Sequence, residues 1–172
     1  MDLPSLRRSL PLAVATLAAL LVAAGCRRTP LPEPVNLVLA RADTGRPYSF
    51  AASRGEATVV YFFSTWCIPC QAMESSVAEV ARRGKAEGIE VVAVALDLEG
   101  RRTVAPYVWG TDPPYPVVIG GGAVARGESA FGKIPELPAV IVLDGEGRPS
   151  SALVGLVPPD DLLRRAREVR DR

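Results

Sequence analysis

Thr58-Val59-Val60-Tyr61-Phe62-Phe63-Ser64-Thr65-Trp66-Cys67-Ile68-Pro69-Cys70 is the stretch whose reading decides the fold. Thr58 to Phe63 is an unbroken run of β-branched and aromatic residues, as expected for a strand buried on both faces. After Cys70 the periodicity becomes helical. Met73, Val77, Val80 and Ala81 fall on one stripe, which Gly84 to Gly88 closes. The two cysteines therefore stand at i and i+3 where a buried strand gives way to a helix, close enough to form a small disulfide loop. Cys67 occupies the helix N-terminus, where unpaired amides and the macrodipole favour a thiolate. Cys70 lies one turn inside and deeper. This asymmetry makes Cys67 the sulfur that attacks a substrate disulfide, or is attacked, and Cys70 the one that resolves the mixed disulfide. Pro69 removes a donor and stiffens the turn between them.

Other uses of the pair compete with redox exchange. A purely structural disulfide would close too short a loop to constrain the unfolded chain much. Soft thiolates suit copper(I), so a copper-binding or copper-transfer protein is the alternative from another class. A non-catalytic binding module with an inert disulfide is a third. A CxxC directly after a buried strand and opening a helix favours redox chemistry.

Composition narrows the remaining choices. The chain has 172 residues, 48% apolar and 23% charged, which suits one globular domain rather than a disordered segment. The net charge of +1 gives no basic surplus to indicate nucleic acid. Histidine is absent, which excludes Ser-His-Asp and Cys-His nucleophile pairs, imidazole metal ligands and a proximal haem ligand. Three cysteines are too few for a four-thiolate metal site, so no metal site is expected. With only Met1 and Met73, there is no methionine cluster for copper.

The odd cysteine is Cys26. Arg7 and Arg8 precede an apolar run from Leu10 to Ala24, too short to span a bilayer comfortably and typical of an export signal. The run ends Ala23-Ala24-Gly25-Cys26, which resembles a bacterial lipobox, although Ala23 stands where leucine is usual. An ordinary signal peptide or an uncleaved anchor is the alternative. We expect a lipoprotein signal peptide over 1–25, a lipidated Cys26 with a proline-rich tether over 26–34, and one domain over 35–172. That organisation places the dithiol outside the cytoplasm, on a membrane facing the periplasm or cell exterior, where disulfides persist.

Within the domain, Val35 to Leu39 and Tyr48 to Phe50 flank a turn and predict an N-terminal hairpin. Ile89 to Leu96 predicts a second buried strand, with Asp97 at its C-terminal end. Residues 101 to 109 predict a short helix, Tyr115 to Ile119 a short strand, and Ala123 to Phe131 a weak helix. Tyr107, Trp109 and Tyr115 are expected to pack rather than to form a ligand platform. Ala139 to Leu143 predicts another buried strand, Asp144 to Gly147 a hairpin turn, and Ser151 to Leu156 the returning strand. Pro158-Pro159-Asp160 opens a terminal helix with Leu162, Leu163, Ala166 and Val169 inward. The order implies an α/β fold: a mixed central sheet with helices on both faces, an N-terminal β-hairpin and a central insertion.

Trp66-Cys67-Ile68-Pro69-Cys70, followed by Leu137-Pro138 and then strand, hairpin and helix, resembles the thioredoxin superfamily. The lipobox-like Cys26, the hairpin, Phe63-Ser64-Thr65-Trp66-Cys67, the insertion near 97 to 131 and Val142 to Arg148 resemble its membrane-tethered TlpA/ResA branch. The resemblance implies a thiol-disulfide oxidoreductase that acts on protein disulfides, often those of apocytochrome c before haem attachment. It implies a membrane electron donor and no cofactor beyond the redox-active disulfide. It also implies that Pro138 is cis beside the dithiol, that Leu137 offers backbone groups to a substrate peptide, and that Trp66 shields the dithiol.

The departures from the family concern proton transfer. The buried carboxylate of the superfamily, six residues before the first cysteine, is replaced by Tyr61. The branch glutamate three residues after the second cysteine is replaced by Met73, and the helix-kinking proline by Ser75. Glu74 and Asp97 are the candidate replacements. On a helix Glu74 points about 100° away from Met73, so a solvated helix face is an equal expectation for it. The uncharged Ile68-Pro69 pair does little to stabilise a Cys67 thiolate, which predicts a weak-to-moderate reductant.

Overall fold

In the computed structural model, which describes residues 32–172, the run read as a central strand is one. The strand Ala57–Phe63 has every residue buried. The leader and Cys26 lie outside the described residues. Numbered in chain order, the elements are β1 (Val38–Ala40), β2 (Pro47–Ser49), β3 (Ala57–Phe63), α1 (Ile68–Gly84), β4 (Ile89–Ala95) and α2 (Arg101–Thr111). They continue with β5 (Val117–Ile119), α3 (Gly121–Ala125), β6 (Ala139–Leu143), β7 (Pro149–Val154) and α4 (Pro159–Arg170). A 3-10 turn, Lys85–Glu87, follows α1.

The sheet has the order β5-β4-β3-β6-β7. β4 runs parallel to β3, with Ala57 opposite Ile89 and Phe63 opposite Ala95. β6 runs antiparallel, with Thr58 opposite Leu143 and Phe62 opposite Ala139. β1 and β2 form a separate antiparallel hairpin, which reaches the β5 edge through a bridge between Arg41 and Val118.

Alternation along β3 divides the core in two. Val59, Tyr61 and Phe63 point to one face and pack with Met73, Val77 and Val80 of α1 and Leu162, Leu163 and Ala166 of α4; Val104 of α2 joins this cluster. Val60 and Phe62 point to the other face, covered by Val35, Phe50, Phe131 and Val124 of α3. Phe131 meets Phe50 and Phe62 edge-on, with centroids 5.3 and 5.1 Å apart. Among the described residues, no helix is long and apolar enough to cross a membrane.

Several boundaries differ from the sequence expectation. Val35 does not enter the hairpin; it donates to Gly147 O at 2.8 Å and is fully buried in the second core. The helix expected over Ala123 to Phe131 stops at Ala125, because Gly127 adopts φ +75° and turns the chain away. A Cβ at Gly127 would lie 2.8 Å from Lys133 Cα, so the turn is also too close-packed for a side chain. The helix expected over 101 to 109 runs on to Thr111 and ends in a left-handed Asp112.

Candidate functional site

Two neighbouring strands position the dithiol. β3 ends at Phe63 and the chain turns through Ser64-Thr65-Trp66 into α1. Leu96, just beyond β4, donates to Phe63 O at 2.9 Å, so the next residue, Asp97, comes up against that turn. Its buried carboxylate accepts from Thr65 N at 3.1 Å to each oxygen, and from Thr65 Oγ1 at 2.5 Å. The turn is tied further by Cys67 N donating to Ser64 O at 3.1 Å and by Gln71 Nε2 donating to Thr65 O at 2.9 Å. Asp97 therefore reaches the site as the anchor of the loop, through Thr65.

Cys67 is the N-cap of α1, and its Sγ accepts from Cys70 N at 3.2 Å. No acidic side chain stands in the first turn, and Arg82 and Arg83 complement the far end of the dipole. A negative charge on Cys67 is thus met by unpaired amides without a competing anion. Pro69 sits within that first turn, where its missing N–H leaves no hydrogen bond unmade. Cys67 and Cys70 are joined by a disulfide. Cys67 is 5% exposed and Cys70 fully buried, the asymmetry expected of an attacking and a resolving sulfur.

Beside Cys67 opens a cleft of about 600 Å³. Trp66, Ile68 and Pro69 line one side of it, and Ile134 to Leu137 the other. The peptide bond before Pro138 is cis. Pro138 is buried, and its carbonyl accepts from Gly155 N at 2.8 Å, so Leu137 is presented to the cleft while Pro138 is held from behind. Trp66 is 73% exposed and stands as a free wall of the cleft.

Behind the disulfide the site is aromatic. Tyr61 occupies the strand position of the missing carboxylate and donates its hydroxyl to Cys70 O at 2.9 Å. Its ring stacks on Phe63 at 5.5 Å, and burial holds its phenol far above the ordinary range. Glu74 is half-buried, in contrast to a solvated helix face, and its carboxylate accepts a hydrogen bond from the Tyr107 hydroxyl. Burial pushes the Glu74 carboxyl above its ordinary pKa, and the Tyr107 bond offsets part of that rise. Tyr107 also packs on Phe63, with centroids 5.9 Å apart. Tyr61, Glu74, Tyr107, Thr111 and Tyr115 share one small enclosed cavity.

The site residues read from the sequence thus fall into two groups. Trp66, Cys67, Pro69 and Leu137 meet at the cleft, while Cys70 and Glu74 face inward one turn apart on α1. Tyr107 and Tyr115 pack, as expected, but the polar role of Tyr107 was not foreseen. Trp109, also expected to pack, is 65% exposed because it lies off the stripe that Val104 and Val108 turn to the core. The i to i+4 relation of Glu74 to Cys70 was the available signal for the inward cluster.

Comparison with known proteins agrees with this arrangement. The chain is 26% identical over 111 residues to the thiol-disulfide oxidoreductase ResA of Bacillus cereus, covering 64% of this chain and 62% of that protein. It spans about three fifths of the length of the first such relatives. A thioredoxin-like protein of Haemophilus influenzae is 27% identical over 131 residues, covering 76% of this chain and 74% of that one. Among solved structures, a thiol:disulfide interchange protein of Chlorobium tepidum superposes with a TM-score of 0.69 at 27% identity, covering 84% of this chain and 99% of that one. Residues 49–170, from β2 through α4, match the family described as the thioredoxin-like domain, and the chain belongs to that family.

Proposed function

We propose that this protein is a thiol-disulfide oxidoreductase that reduces disulfides of other proteins outside the cytoplasm. The observation that carries the reading is the pairing of a capped, cleft-facing Cys67 with a sealed Cys70. In the reduced protein, the Cys67 thiolate attacks a substrate disulfide, one substrate sulfur leaves, and a mixed disulfide forms on Cys67. Cys70 then attacks Cys67 Sγ, closing the Cys67–Cys70 disulfide and releasing the second substrate thiol. The cis-proline loop supports docking of an extended peptide beside Leu137.

The export signal, a lipid on Cys26 and the proline-rich tether belong to the same reading. They place the dithiol at a membrane surface, where a membrane dithiol donor re-reduces it. Cysteines of apocytochrome c awaiting haem are the substrate class that the family resemblance favours. No cofactor beyond the disulfide enters the scheme.

The test is insulin reduction coupled to dithiothreitol, together with a reduction potential measured against glutathione. We expect turnover that disappears in Cys67→Ser, and a potential on the reducing side of the glutathione couple. A potential near about −120 mV, that of a strong periplasmic oxidant, would overturn the reductive assignment. Inactivity of the wild-type protein with insulin would overturn the enzyme reading itself.

A further inference from the structure

Resolution requires the Cys70 proton to leave, and β3 supplies no carboxylate to take it. Tyr61 stands there instead and spends its hydroxyl proton on Cys70 O. A half-buried carboxyl stands instead on the helix that carries Cys70. Glu74 lies four residues after Cys70 in α1, on the same face and one turn on. That spacing puts the two Cβ atoms roughly 5–6 Å apart. Tyr107 of α2 fixes the Glu74 carboxylate by donating to it. The other polar groups lining the cavity are Tyr61 of β3, Thr111 of α2, and Tyr115 before β5. No lysine or arginine lines it, and buried Asp97 is not among its lining residues.

We propose that Glu74, positioned by Tyr107, accepts the Cys70 proton during resolution and so sets the pH range over which the dithiol turns over. This rests on the thiol-disulfide exchange reading above. Starting from the mixed disulfide, the S–H bond of Cys70 breaks and its proton goes to the Glu74 carboxylate. The Cys70 sulfur bonds to Cys67 Sγ, the bond from Cys67 to the substrate sulfur breaks, and the substrate thiolate leaves to take a proton from water. The protein dithiol loses two electrons, and the substrate disulfide gains them as two thiols. Glu74 later returns its proton to solvent. Burial, which raises the Glu74 carboxyl, brings it nearer to the thiol it serves, the direction in which proton exchange near neutral pH becomes efficient.

Stopped-flow reaction of the reduced full chain with 5,5′-dithiobis(2-nitrobenzoate) separates the two steps. The first released nitrothiobenzoate reports attack by Cys67, and the second reports resolution by Cys70. Followed between about pH 5 and 9, the second phase of the wild type should rise through a carboxyl inflection. Glu74→Gln should lose that inflection and slow the second phase roughly tenfold or more at neutral pH. Tyr107→Phe keeps the ring but removes a bond that lowers the Glu74 pKa, so its inflection should move to higher pH. An unchanged second-phase profile in Glu74→Gln overturns the proposal. If that variant does not fold, an unmoved inflection in Tyr107→Phe overturns it alone. Absence of the first phase in the wild type would instead sink the exchange reading beneath it.

Discussion

Replacing Asp97 by alanine should loosen the loop that carries Cys67. The carboxylate is 1% exposed and satisfies two donors of one residue, Thr65 N and Thr65 Oγ1, at 3.1 and 2.5 Å. Hydrogen bonds to a charged group contribute about 1.5–3 kcal/mol each, and donors left orphaned in a buried turn cost their desolvation as well. Removing the buried charge recovers part of this, which leaves a net loss of about 2–4 kcal/mol. For a domain of this size the melting temperature should fall by roughly 6–12 °C. Asp97→Asn retains an acceptor for Thr65 N and can donate to Thr65 Oγ1, so it should lose about half as much. Thermal unfolding followed by circular dichroism at neutral pH gives both numbers. The rate of iodoacetamide alkylation of reduced Cys67 reports separately on the loop, because Cys67 N hangs on Ser64 O one residue before Thr65. We expect that rate to fall in Asp97→Ala. A melting temperature within about 2 °C of wild type would refute the energetic argument. A large destabilisation with unchanged alkylation would refute the assignment of Asp97 to loop positioning.

Other outcomes follow from the same contacts. Cys70→Ser should accumulate mixed disulfides on Cys67, visible on non-reducing gels and by mass spectrometry, whereas Cys67→Ser should accumulate none. Absence of apocytochrome c from the trapped proteins would remove that substrate class. Met73→Ala empties a site that is 1% exposed beneath the dithiol and should cost about 2–5 kcal/mol, read from the urea midpoint. Glu87, after α1, pairs with Arg167 at 2.6 Å and Arg170 at 3.1 Å on α4. The Arg167 hydrogen bond, with both arginine charges, holds its carboxyl down from 4.5 to about 2. Its contribution is therefore present above about pH 4.5 and is lost as pH falls toward about 2. Glu87→Gln should flatten the fall in melting temperature over that acid window.

The elements carrying their own hydrophobic signal were legible in the sequence. Thr58 to Phe63, Ile89 to Leu96 and Ala139 to Leu143 read as strands because burial on both faces leaves no polar alternation. The inward stripe of α4 was equally plain. The five-residue α3 was not, because its end depends on the left-handed Gly127 and its close packing on Lys133 in the same loop, which helical periodicity does not encode. Cys67 and Cys70 were legible from local spacing. The half-burial of Glu74 was not legible, because a helix position between an inward and an outward stripe is decided by what the neighbouring element places against it. The hydroxyl of Tyr107 on Glu74 joins residues 33 apart in the chain, so no local pattern encodes it.

The two walls of the cleft are made of different material. Trp66 to Pro69 hang from β3, whose amides pair on both sides within the sheet and should exchange with solvent among the slowest in the molecule. The facing wall, 133–137, enters none of the backbone hydrogen bonds found outside the helices and strands, and Pro135 has no amide to donate. Its exchange should be fast until a substrate peptide pairs with it. One half of the cleft thus hangs from a hydrogen-bonded sheet, and the other is held through the packing of the Ile134 and Leu137 side chains, with its main chain left open to pair with a docked peptide if the cleft takes one. Ordering that main chain costs part of the contact energy, which favours modest affinity, tolerance of varied sequences around the target cysteine, and prompt release once the disulfide has moved.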